Sequence, residues 1–142
     1  MKYILLTLLF YYPPINAQNC EGFLQGTFEM KYEYGTVMIE RMGNWQLEKS
    51  DTYGIVYLNK IRMIDDCKYE LSYYKVLKLG NLPEPDMTKK AITKIINVEG
   101  SNYYFESSIT GTNASIGGVF VKKSDEVSDD FKKLIAKEQV VD

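Results

Sequence analysis

The sequence predicts a mainly β fold, an antiparallel up-and-down meander of about eight strands that forms an open sheet or a closed barrel, followed by a C-terminal amphipathic helix. Three observations predict it. Short segments alternate apolar and polar side chains with period two, as Phe28, Met30, Tyr32 and Tyr34 do against Thr27, Glu29, Lys31 and Glu33. Glycine, asparagine and aspartate clusters separate these segments at regular spacing. The last stretch switches to helical spacing.

Ahead of the strands, Lys2 precedes an apolar run from Ile4 to Tyr12, a Pro13-Pro14 break and a small residue, Ala17. This pattern predicts a secretory signal peptide over residues 1–17, cut before Gln18. A membrane span needs about 20 apolar residues, which the run does not supply. The expected location is periplasmic or secreted, with no transmembrane segment in the mature chain. The two cysteines, Cys20 and Cys67, make one disulfide the simplest reading of an exported chain. A lipidated Cys20, which would make an outer-membrane lipoprotein, is less favoured because Gln18 and Asn19 stand where small residues are expected.

Residues 18–123 are read as one β-domain and 124–142 as a helix and tail. The expected strands cover 26–34, 36–42, 45–49, 55–64, 67–76, 91–98, 103–109 and 116–122. Gly35, Gly43-Asn44, Ser50 to Gly54, Asp65-Asp66, Glu99 to Asn102 and Thr110 to Asn113 punctuate them. Gly80, Pro83 and Pro85 make residues 79–86 the longest loop. The stretch 86–98 fits a helical stripe through Met87, Ala91 and Ile95, or a strand through Ile92, Ile96 and Val98. Its β-branched content favours the strand. In the tail, Val127, Phe131, Leu134 and Ile135 share a face, acids come early and lysines late, and Ser124 or Ser128 can cap the start of a helix ending at Gln139. The stripe either packs on the sheet or docks on a partner.

The composition excludes more chemistry than it offers. With 17 basic and 19 acidic residues interspersed, the chain lacks the basic footprint that nucleic acid requires. It contains no histidine, which removes the usual general base and the commonest metal ligand. No metal site, cofactor or catalytic residue is assigned, and an enzyme is not expected. Asp65 and Asp66 are neighbours on one strand end and point to opposite faces, which suits a turn better than paired acid–base work. Glu29, Glu33 and Glu99 form no recognised catalytic or calcium spacing. Asn113-Ala114-Ser115 matches a glycosylation sequon and is assigned no function. The chain has 12 tyrosines, and the aromatic face of Phe28, Met30, Tyr32 and Tyr69 is the candidate ligand-facing surface, with plain filling of the core the favoured alternative for these rings.

Cys20 with Gly26-Thr27-Phe28, the segment Ile61-Arg62-Met63-Ile64-Asp65-Asp66-Cys67-Lys68-Tyr69-Glu70-Leu71, and Ile95 to Val98 with Asn102 to Glu106 together resemble short exported β-proteins of Bacteroidota. Some of these go under the name DNA topoisomerase IV, which does not fit a small, acidic, exported chain. The resemblance implies an exported β-domain with a linked cysteine pair and no assigned activity. More loosely, Gly26-Thr27-Phe28, the meander and the terminal helix are similar to lipocalin-type barrels, with Phe28 where those barrels usually have tryptophan. The functional expectation is a non-enzymatic binding protein for a small apolar ligand or an envelope component. The alternative is a structural or assembly module that docks on a partner protein through its helix or sheet face.

Overall fold

A computed structural model describes residues 19–32 and 35–140, with the side chain of Tyr32 excepted. The expected signal peptide, its cleavage before Gln18, and Glu33 and Tyr34 lie outside the described residues.

Eight strands run in sequence order: β1 (Gly26–Tyr32), β2 (Gly35–Met42), β3 (Trp45–Ser50), β4 (Ile55–Asp65), β5 (Lys68–Lys78), β6 (Lys90–Glu99), β7 (Asn102–Ile109) and β8 (Ser115–Ser124). Each pairs antiparallel with its neighbour, and β1 pairs with β8, so the meander closes into a barrel and leaves no free edge. The ambiguous segment after Met87 is strand β6. Its Thr93 and Ile95 are buried inside the barrel, and its pairing with β5 and β7 supplies the backbone partners that a helix would otherwise provide.

The two barrel ends differ. At one end the chain enters through a short 3-10 turn, Glu21–Phe23, which drives the fully buried Phe23 ring into the barrel. Phe23 packs on Phe28, Tyr69, Tyr103 and Phe120 with ring centroids 5.1 to 5.6 Å apart. Met30, Val37, Ile39, Ile61, Ile95 and Phe105 complete this floor. The Cys20–Cys67 disulfide ties the entering chain to the β4–β5 turn. At the opposite end the β3–β4, β5–β6 and β7–β8 loops surround a mouth. Gly80 sits there at φ +64°, where an added methyl would collide with the Tyr53 carbonyl oxygen. Asn81 N–H donates to that same oxygen at 2.9 Å, so the two loops are stitched together.

The helix α1 (Asp129–Gln139) starts after the second of the two capping serines that the sequence offers. Strand β8 continues to Ser124, and the Ser124 hydroxyl accepts from Glu126 N–H in the connecting turn. Ser128 is the cap instead, its hydroxyl accepting from Phe131 N–H at 3.2 Å. The apolar stripe packs on the outside of the barrel: Val127, Phe131 and Ile135 form a second core with Trp45 and Leu47 of β3 and Leu58 of β4. Lys75 of β5 holds Glu138 at 3.0 Å, and Glu40 of β2 accepts from Ser128 N–H at 2.6 Å. The stripe is therefore spent within the chain.

Elsewhere the outer wall is charged, with ion pairs such as Arg62 to Glu70 and Lys90 to Glu70, both at 3.0 Å. A charged exterior around an apolar floor is the inverse of a lipid-facing barrel. Among the described residues no helix is long and apolar enough to cross a membrane.

Candidate functional site

Between the aromatic floor and the mouth, the barrel carries a belt of inward polar side chains. Register places them in rows: Arg41 opposes Gln46, Gln46 opposes Asn59, and Asn59 opposes Tyr73. On the other wall Thr93 opposes Ser107, and their hydroxyls lie 2.9 Å apart. Thr93, Ser107, Arg41, Gln46 and Asn59 are all buried.

Arg41 anchors the belt from below. Its guanidinium carbon stands 3.6 Å above the centre of the Phe23 ring. Nε donates to Gln46 Oε1 at 2.7 Å, Nη1 to the Phe23 carbonyl at 3.1 Å and Nη2 to the Tyr69 hydroxyl at 3.0 Å. Arginine has only donors, so Gln46 must present its oxygen to Arg41 and its NH2 group to the other side. There Gln46 Nε2 donates to Glu48 Oε1 at 2.6 Å, and Asn59 Nδ2 donates to the same oxygen at 3.0 Å. Burial pushes the Glu48 carboxyl above its ordinary range, against the pull of Gln46, Arg41 and Asn59. Burial likewise lowers Arg41 and raises Tyr69. The result is a buried arginine joined to a half-buried carboxylate through one amide, without direct contact between the charges.

Glu48 and Asn59 form part of the lining of a cavity of about 290 Å³ at the mouth. Its apolar walls come from Leu71, Ala91 and Ile109, which register sets side by side on β5, β6 and β7. Tyr73 is on its lining, edge-on to the Tyr57 ring at 5.5 Å. Pro85, Asp86, Lys89 and Lys90 form its rim. Asp86 takes both the N–H and the hydroxyl of Thr88, at 3.0 and 2.6 Å, which fixes the rim loop. Glu48 keeps some surface open toward the cavity while protein crowds it from the remaining sides. Asn59 Oδ1 is buried with no hydrogen-bond partner among the described residues.

The structure brings the sequence-predicted aromatic face together, but as the packed floor. Phe28, Met30 and Tyr69 belong to the apolar cluster around Phe23, and none of the three is on the lining of the mouth cavity. They face into the barrel at a depth that Phe23 already fills, because the 3-10 turn inserts that ring from below. For Tyr32 the backbone is in β1. Asp65 and Asp66 sit at the β4–β5 turn, where Asp65 Oδ1 accepts from Cys67 N–H at 2.9 Å. Among the described residues no group of three or more His, Cys, Asp or Glu could hold a metal ion. Sequence reasoning missed Glu48, Asn59, Leu71, Ala91 and Ile109, although the inward phase of β5, with Tyr69, Leu71 and Tyr73 on one face, was the signal for one wall.

Comparison of the chain with family models, curated proteins and solved structures returns no match.

Proposed function

We propose that the protein is an exported, non-enzymatic binding protein that holds a small amphipathic molecule in the barrel mouth. The observation that carries this reading is the mouth cavity itself: about 290 Å³ of space with apolar walls from Leu71, Ala91 and Ile109 and the polar side chains of Glu48 and Asn59 on its lining. That volume falls just short of the about 300–1,000 Å³ common to small-molecule sites, so the ligand must be small. A fold that needed the barrel only as a core would fill it to the top, as it does around Phe23. Leu77 at the end of β5 and Leu79 and Met87 on the β5–β6 loop leave apolar surface exposed at the mouth end of the barrel. A periplasmic or secreted location agrees with the disulfide, which persists in oxidising compartments. Docking on a partner through the helix stripe has less to work with, since Phe131 and Ile135 are buried on the barrel.

Native mass spectrometry of protein purified from its own host tests the proposal. A one-to-one small-molecule adduct released by denaturing extraction is the expected result. An empty chain that also fails to take up small amphipathic probes would overturn it.

A further inference from the structure

We infer that the mouth cavity selects a small organic cation, a molecule that joins a primary ammonium group to a compact apolar body; this rests on the ligand-binding reading above. The inference starts from what is left over after the polar belt has paired with itself. Both donors that reach Glu48 converge on Oε1, Gln46 Nε2 at 2.6 Å and Asn59 Nδ2 at 3.0 Å. No donor among the described residues bonds to Oε2, and the Glu48 side chain lines the cavity. Asn59 has turned its NH2 group to the carboxylate, which leaves Oδ1 as the unpaired buried oxygen of the site. Arg41 does not neutralise the carboxylate by contact. Its three hydrogen bonds go to Gln46, the Phe23 carbonyl and Tyr69, and its ring partner is Phe23 below the belt.

The cavity lining therefore carries a carboxylate with one oxygen, Glu48 Oε2, that no hydrogen bond among the described residues satisfies. An ammonium group brings three donors and a positive charge, and in a site screened from water a charge-assisted hydrogen bond is about twice as strong as a neutral one. A neutral apolar ligand seated there would strip water from the carboxylate and return nothing. A carboxylate or phosphate ligand would set like charge beside Glu48. On the rim Lys90 is held by Glu70 at 3.0 Å, and Lys89 shares the rim with the carboxylate of Asp86. The apolar body of the ligand would meet Leu71, Ala91 and Ile109, with Tyr73 available for a ring-to-cation contact.

Isothermal titration of the folded protein at neutral pH with phenylpropylamine, phenylpropanol and phenylpropanoate tests the inference, since the three share one apolar body. The wild-type protein should bind the amine about tenfold more tightly than the alcohol, and the acid least of all. Glu48→Gln should erase the advantage of the amine while the alcohol keeps its affinity within about twofold. Equal binding of amine and alcohol by the wild-type protein, a preference for the acid, or a full amine preference retained in Glu48→Gln would overturn the inference and leave the cavity reading standing. Failure of all three probes to bind would overturn both. The wild-type ranking alone decides the matter if Glu48→Gln does not fold.

Discussion

Replacing Arg41 with Met should be among the most damaging single changes in the barrel. Arg41 is 1% exposed, and methionine would fill much of its volume without offering a donor. Three acceptors, the Phe23 carbonyl, Gln46 Oε1 and the Tyr69 hydroxyl, would then lose their donor in the interior, at about 1–3 kcal/mol for each that finds no other. The stacking of the guanidinium on Phe23 contributes up to about 2 kcal/mol more in a site without water. Against these losses stands relief from holding a guanidinium out of water, worth several kcal/mol. Removing one member of a buried polar set nonetheless leaves its partners stranded, and the net loss should be about 3 kcal/mol. For a domain of this size that is a fall of roughly 12 °C in Tm. Urea unfolding followed through Trp45, the one tryptophan of the chain and a buried one, measures it directly. A loss below about 1 kcal/mol would refute the reasoning, because the relief would then match the stranded acceptors.

Phe28→Asp should abolish folding, since Phe28 is fully buried against Phe23 and an unpaired charge there costs several kcal/mol; a native near-ultraviolet spectrum would contradict this. Removing the Cys20–Cys67 disulfide, which spans 47 residues, should cost up to about 4 kcal/mol in paired urea melts of wild-type and Cys20→Ser/Cys67→Ser protein. Glu48 makes a signed prediction for pH. Its folded-state pKa lies above the ordinary 4.5, so the native state holds the proton more tightly and stability falls as pH rises from there to the folded value. Glu48→Gln should remove that fall, so its Tm relative to wild type should climb across the window and level off above it. Glu138 has the opposite sign, with Lys75 holding its pKa below 4.5. Its contribution is present above 4.5 and lost as pH falls through the folded value, so Glu138→Gln should lower Tm at neutral pH and cease to matter in acid.

The strands were legible because a half-buried strand must alternate, and β1 shows this plainly with Phe28 and Met30 buried between Glu29 and Lys31. The disulfide followed from cysteine count and the expected export. The mouth site was hidden by a conflict between the two faces of β3 and β4. Trp45 and Leu47 point outward under the helix, and Leu58 does the same on β4, so the apolar side of these strands is not the barrel interior. Gln46, Glu48 and Asn59 occupy the opposite phase, where alternation assigns solvent, and only closure of the barrel turns them inward. The helix is thus the reason the polar belt could not be read locally. Phe23 was hidden for a different reason: a ring on a three-residue 3-10 turn carries no periodic signal, yet it fills the floor between the rings of the aromatic face.

Methyl NMR of the protein titrated with phenylpropanol, a neutral probe, tests the mouth cavity most directly. Binding there should shift the methyl resonances of Leu71, Ala91 and Ile109 in a saturable way and leave Ile39, Ile61 and Ile95 of the floor unmoved. Shifts centred on the exposed Met63, Ile64, Ile96 or Ile116, or no saturable shift at all, would contradict it.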